Sequence, residues 1–339
     1  MHPEQPPPTP DTGRSRWLAL IEPPLALGLV FGISIFFGMF GFVATAFLVE
    51  EDPLESLFGM ERKLGVELIH DGGETIPTIE ETKRIVAAVF DVTDVIVIPE
   101  GERAWQLLAW IRGEPAPSSS TELTQQLGAL GWSDPVPTVT TLPRYFGAME
   151  NPRRMRMYIP PAMTIQALVF SLGGWVMVRW RDPRALRDPA RLTTALLWGG
   201  GAAIVAFIGS TLVGGGLQLT GWEIEEQGWI QALMADRASL LLLTPWLVVL
   251  GPVSEEVFFR GYVFRRLFSS AGPRAAYLVS AVLFALIHWH PVGLPMYLLI
   301  GLVFCWVYQK TGNLWAPVLA HVIYNGFVVT LPLLAPVSP

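Results

Sequence analysis

Long apolar runs separated by short polar breaks fill most of this chain, and residues 50–158 stand out because they contain none. A helix needs about 20 apolar residues to cross a bilayer. Leu25–Val49 meets that length, and from Pro160 onward the runs predict helices near 161–178, 192–219, 239–268, 275–289, 294–309 and 314–334. The expected architecture is an all-α polytopic membrane protein of about seven transmembrane helices, with a small soluble α/β-type insert after the first. The expected divisions are a disordered tail over 1–24, Pro-rich at its start, and a transmembrane anchor over 25–49. An extracytoplasmic acidic insert over 50–158, two helices and a loop over 160–238, and a membrane core over 239–334 follow. Ala44-Thr45-Ala46 resembles a cleavage site, but the preceding run exceeds the roughly 7–15 residues of a signal-peptide core, which favours an uncleaved anchor.

Within the insert, Glu80–Val89 patterns as a short amphipathic helix, Asp94–Ile98 as a strand and Pro115–Ser120 as a loop. His70, before Asp71-Gly72-Gly73, is expected in a turn. The insert carries 18 Asp/Glu against 10 Lys/Arg.

Composition supports a membrane protein: 51% of residues are hydrophobic and 15% charged, where soluble chains carry about 25%. The formal net charge of −6 argues against nucleic acid as a partner. Basic residues fall unevenly between the runs. Arg179, Arg181, Arg184, Arg187 and Arg191 lie in one break, Arg265, Arg266 and Arg274 in another, and Lys310 in a third, whereas Glu223-Ile224-Glu225-Glu226 is acidic. The positive-inside rule then predicts a cytoplasmic N-terminus and an external insert. Gly199-Gly200-Gly201 and Gly214-Gly215-Gly216 predict close helix packing, and the single cysteine, Cys305, a small buried apolar residue.

Charge at membrane depth is costly, so ionisable residues there point to function. One apolar run holds Glu255, Glu256 and Arg260, a later one His288, and the last His321 and Asn325. Glu256 and Arg260 are four apart and can pair as a structural ion pair, leaving Glu255 on another face. At about 1.5 Å per residue, Glu255 lies roughly 15 Å from Arg265 and Arg266, His321 about 12 Å and Asn325 about 18 Å from Asn313, and His288 about 21 Å from Arg274. The groups can therefore share one depth. A carboxylate and an imidazole activate water, and further donors stabilise the tetrahedral oxyanion. On this reading Glu255 and His288 polarise water while His321 and Asn325 serve the oxyanion. Glu255, His288 and His321 are equally a His₂Glu set for Zn²⁺ with an open water position; spacing does not choose between the two. His290, beside Pro291, is expected at the interface, and Trp289 and Tyr324 are expected to line a groove.

These residues resemble the CAAX protease and bacteriocin-processing (CPBP, or Abi) family. Its successive motifs correspond to Glu255-Glu256-x-x-x-Arg260, Phe284-x-x-x-His288 and His321-x-x-x-Asn325, with Gly261-Tyr262 continuing the first. The resemblance covers about residues 239–334 and does not extend to the insert. It implies an intramembrane endopeptidase with the same division of roles, metallo- or glutamate-type. Membrane lipid and a membrane-anchored protein or peptide, such as a prenylated C-terminal CAAX segment, are the implied partners, in what is expected to be a bacterial inner membrane. Motifs of other intramembrane proteases (His-Glu-x-x-His, Gly-x-Ser-Gly, Gly-x-Gly-Asp) are missing. The competing readings are an ion- or proton-coupled transporter, against which the lack of internal repeat symmetry counts, and a non-proteolytic immunity-type scaffold.

Overall fold

A computed structural model of the chain describes residues 13–49, 60–70, 76–99, 103–143, 151–181, 192–222, 233 and 236–334. The chain divides into two compact units, one within 1–38, 163–225 and 245–330, the other within 39–162, 226–244 and 331–339. The first helix, α1 (Gly13–Val49), starts well before the expected anchor, so residues 13–24 are helical rather than a disordered tail. Its early start follows from an apolar sequence that continues back through Trp17, Leu18 and Ile21, with Pro23 and Pro24 accommodated within it.

The insert holds β1 (Met60–His70), α2 (Ile79–Val89), β2 (Val92–Pro99), β3 (Ala104–Ile111), α3 (Ser119–Ala129), β4 (Trp132–Ser133) and β5 (Thr138–Pro143). The strands form one antiparallel sheet in which β1 pairs with β3 on one side and with both β4 and β5 on the other; β2 lies outside β3. Alternation along β1 sends Leu64, Val66 and Leu68 to one face. There they meet Trp105, Leu107 and Ala109 of β3, with Val86 of α2 and Leu123 and Leu127 of α3. Thr78 and Glu81 close α2 with reciprocal caps: the Glu81 N–H donates to Thr78 Oγ1 at 3.2 Å, and the Thr78 N–H to Glu81 Oε2 at 2.9 Å. The expected helix and strand over 80–98 are present, whereas Ser119 and Ser120, expected in a loop, open α3. His70 is the buried last residue of β1, not a turn residue, and its ring packs edge-on against Trp132 at 5.6 Å.

The other face of the sheet meets the start of α4 (Pro152–Arg181), which begins nine residues before the expected 161. Asn151 caps it by accepting the Arg154 N–H at 3.1 Å, and Arg154 pairs with the buried Glu61 of β1. Arg156 pairs with Asp236, which in turn accepts the Ser239 N–H at 3.0 Å and so caps the next long helix.

The remaining helices are α5 (Leu192–Leu219), α6 (Arg237–Ser270, including two π-helical stretches), α7 (Pro273–Leu286), α8 (Leu294–Thr311) and α9 (Trp315–Leu334). Among the described residues five helices, within α1, α4, α5, α6 and α8, are long and apolar enough to cross a membrane; α7 and α9 are shorter apolar helices. Close packing joins them: a Cβ on Gly199 would sit 2.8 Å from the Ala316 carbonyl, and one on Gly301 would sit 3.0 Å from Ala281 Cα. Of the two glycine triplets, Gly199 makes such an approach, whereas Gly200, Gly201, Gly215 and Gly216 face open space. Glu22 of α1 accepts from Tyr262 Oη and Arg266 Nε of α6, each at 3.1 Å. Arg184, Arg187, Arg191 and Glu223–Glu226 lie outside the described residues.

Candidate active site

Helix α6 changes pitch around the acidic pair. Trp246–Leu250 and Val257–Phe264 are π-helical and flank the α-helical Gly251–Glu256. Pro252 explains the first widening: it has no N–H to give the Val248 carbonyl, and its ring clashes with that carbonyl in a regular α-helix. The Gly251 N–H accordingly reaches back five residues to the Trp246 carbonyl. The Leu247 carbonyl thereby loses its α-helical donor, Gly251, while its π-helical donor would be Pro252, which has none. Asn325 of α9 fills the place, donating from Nδ2 to Leu247 O at 2.8 Å. This contact settles which end of the carboxamide faces α6, because a carbonyl only accepts. The second N–H of Asn325 is not used in it.

Glu256 and Arg260 are both fully buried and pair at 2.9 Å, as the four-residue spacing predicts. The ion pair has further partners. Arg260 also donates to the Gly301 carbonyl at 3.0 Å, and its guanidinium lies 4.6 Å from the Phe284 ring centroid and 5.4 Å from that of Phe304. A carbonyl, a carboxylate and two π faces together offset the desolvation of one buried cation. The same Glu256 Oε1 receives His321 Nδ1 at 2.9 Å. Sequence spacing missed this partner, since 65 residues separate the two.

That hydrogen bond fixes the imidazole tautomer. A carboxylate paired with Arg260 only accepts, so Nδ1 of His321 carries a proton and Nε2 is the nitrogen turned toward Glu255. Nε2 stands 4.0 Å from Glu255 Oε2. That carboxylate oxygen is buried and has no hydrogen-bond partner among the described residues. His288 is oriented in a similar way, with its Nδ1 2.8 Å from the Phe284 carbonyl. Its ring stacks on Tyr297 with centroids 4.1 Å apart.

His288 does not ride on a helix as expected. α7 ends at Leu286, and His288 sits in the turn that follows, where its N–H donates to Ala285 O at 3.3 Å. Trp289 then adopts φ +50°, a left-handed conformation uncommon for a bulky residue, and is 73% exposed. Proline at 291 restricts His290 before it, and together with the left-handed Trp289 it keeps α7 from continuing. His290 accepts the Gly293 N–H on Nδ1 at 2.8 Å and so orders the entry to α8. Tyr324 donates to Ser210 Oγ at 3.2 Å.

The structure thus brings Glu255, Glu256, Arg260 and His321 into one cluster, with Asn325 one turn further along α9. His288 is tied to the cluster through Phe284, whose ring lies 4.9 Å from the His288 ring and 5.7 Å from that of His321. Beyond the expected set, Tyr297, Phe304 and the carbonyls of Leu247 and Gly301 hold these groups. Of these, only the Leu247 carbonyl had a readable signal, in Pro252. Among the described residues no three His, Cys, Asp or Glu side chains converge closely enough to hold a metal ion. Glu255, His288 and His321 are suitable donors by chemistry, but this arrangement does not form the His₂Glu set.

Residues 237–327 match the family described as Type II CAAX prenyl endopeptidase Rce1-like. YdiL of Bacillus subtilis, whose name describes a membrane peptidase, is 34% identical over 85 residues, covering 25% of this chain and 35% of YdiL. MroQ of Staphylococcus aureus, named as a membrane-embedded CAAX protease, is 37% identical over 94 residues, or 26% of this chain and 38% of MroQ. The UPF0177 protein YxdF of Lactococcus lactis is 36% identical over 83 residues, 23% of this chain and 44% of that protein. The chain therefore spans less than half the length of each of these relatives.

Proposed function

We propose that this integral membrane protein, whose residues 237–327 belong to the CAAX prenyl endopeptidase family, hydrolyses peptide bonds of membrane-anchored proteins or peptides with water activated by Glu255 and His288. The observation that carries this reading is the His321 ring, anchored by Glu256 at 2.9 Å and facing the unpartnered Glu255 carboxylate oxygen at 4.0 Å. Buried carboxylates serving structure alone are normally satisfied by partners.

In the proposed reaction, Glu255 takes a proton from water while the His288 imidazole orients the same molecule. The resulting hydroxide adds to the scissile carbonyl carbon, whose oxygen becomes an oxyanion. The spare N–H of Asn325 donates to that oxygen. His321 donates only after Nε2 gains a proton, which Glu255 is positioned to relay across 4.0 Å through one water. The C–N bond breaks as a proton passes to the leaving nitrogen, giving a carboxylate and an amine. One oxyanion donor is worth about 10²–10³ in turnover. The mechanism is glutamate-type and routes no step through zinc. Prenylated C-terminal segments are the proposed substrate class, in a bacterial inner membrane. The proposed topology places the N-terminus in the cytoplasm, with α7 and α9 completing seven spans.

Purified protein and its Glu255→Gln, His288→Ala and His321→Ala variants, incubated with lipidated and unlipidated peptides with and without chelator, test this reading. Each variant should lose about 10²–10⁴ in turnover, and chelator should leave the parent unaffected. Cleavage surviving Glu255→Gln would sink the proposal. Loss on chelation that zinc restores would make the same three residues metal ligands instead.

A further inference from the structure

The insert has a feature outside the catalytic cluster. Its central strand β1 is paired on one side by β5 from Met60 to Gly65 and by β4 at Ile69 and His70, with an interruption over Val66–Leu68. Opposite the interruption run Asp134-Pro135-Val136-Pro137. Neither proline has an N–H for the ladder, and Asp134 turns the chain with φ +31°. The chain bulges away, and beside it lies a groove of about 400 Å³. That volume is within the usual range for a ligand site and far larger than a metal ion needs.

The lining is of two kinds. Ile69 and Val136 are apolar yet 56% and 71% exposed. Glu67 and Asp134 bring two carboxylates, Gln106 a carboxamide and Ser133 a hydroxyl, and among the described residues no Lys or Arg lines the groove. The Ser133 Oγ is buried and has no hydrogen-bond partner among the described residues. An apolar wall leading to carboxylates suits one chemical shape: an aliphatic stem ending in a cation.

We infer that this groove binds the side chain of an arginine or lysine carried on an extended peptide segment. The stem lies along Ile69 and Val136, and the cationic head reaches Glu67 and Asp134. The binding itself stands without the peptidase reading; only its use, holding the extramembrane part of a substrate, rests on that reading.

The test uses the full chain in detergent and three short fluorescent peptides that differ only in a central Arg, Ala or Glu, followed by anisotropy. The Arg peptide should bind about tenfold or more tightly than the Ala peptide, and the Glu peptide more weakly still. Added salt should reduce the Arg preference. Glu67→Gln with Asp134→Asn should abolish it, while Glu255→Gln should leave it intact, which separates failure here from failure of the catalytic reading. A thermal unfolding curve matching the parent's confirms that the double variant folds; if it does not fold, Val136→Lys, which puts a cation in the groove, should lose the Arg preference in the same assay. Equal affinity for all three peptides would overturn the inference. So would an Arg preference that survives both sets of substitutions, or displacement of the Arg peptide by calcium alone at low ionic strength.

Discussion

Removing the Arg260 charge and then its partner separates what the buried ion pair does for stability from what it does for chemistry. Arg260→Met leaves Glu256 as an uncompensated carboxylate that is fully buried. Breaking a buried pair on one side costs about 3–5 kcal/mol. At roughly 2–4 °C per kcal/mol for a domain of this size, the unfolding midpoint should fall by about 10 °C. Adding Glu256→Leu removes the orphaned charge, and apolar replacement of a buried pair is often neutral or better, so most of the stability should return. Activity should not return with it. His321 has lost the acceptor that held Nδ1 at 2.9 Å, and an ångström of misplacement costs about 100-fold in turnover. The assay pairs thermal unfolding in detergent with turnover on a cleavable peptide. A double variant as unstable as Arg260→Met would refute the charge-pair reasoning, and one that cleaves normally would refute the role given to Glu256.

Three further outcomes follow from other contacts. Pro252→Ala restores an N–H that competes with Asn325 for the Leu247 carbonyl; turnover should fall about tenfold with KM little changed, while the helix gains stability, and unchanged turnover would dismiss the π-turn as a positioning device. Gly301→Ala puts a methyl 3.0 Å from Ala281 Cα, and overpacking of this kind should cost about 1–3 kcal/mol in thermal unfolding. In the insert, burial pushes the Asp94 carboxyl above its ordinary 3.8, against the opposing charges of Arg156 and Arg153. An acid whose folded pKa is raised contributes stability below its ordinary value and loses it as pH rises through the folded pKa. Asp94→Asn should therefore gain on the parent as pH rises from acid to neutral, measured by fluorescence of Trp110, which sits opposite Asp94 in the ladder; a pH-independent difference would contradict this.

Much of the membrane core was legible because its chemistry is local in sequence. Glu256 and Arg260 pair across one turn as their spacing requires, and α5 and α8 run close to the bounds that apolar length alone predicts. The misses have identifiable causes. The His321–Glu256 bond joins helices 65 residues apart, a register that periodicity cannot see. The early end of α7 was hidden because Ile287 and His288 extend the apolar pattern into the turn that precedes Pro291. In the insert, β1 and β3 went unpredicted although Leu64-x-Val66-x-Leu68 and Trp105-x-Leu107-x-Ala109 alternate, and the glycines after His70 suggested a turn one residue too soon. The π-helical stretches leave a single trace, Pro252, and its consequence for Asn325 emerges only when α9 is packed against α6.

The shortness of α7 has a consequence of its own. Its 14 residues rise about 21 Å, roughly 9 Å less than the hydrocarbon slab. Irregular backbone at such depth is tolerated only inside protein or beside an aqueous inlet, so the chain that follows Leu286 needs either enclosure by its neighbours or water from one side. Under the proposed peptidase reading with α7 as a span, lipid tail length becomes a control on turnover: thicker membranes bury the notch and starve it, and thinner ones feed it.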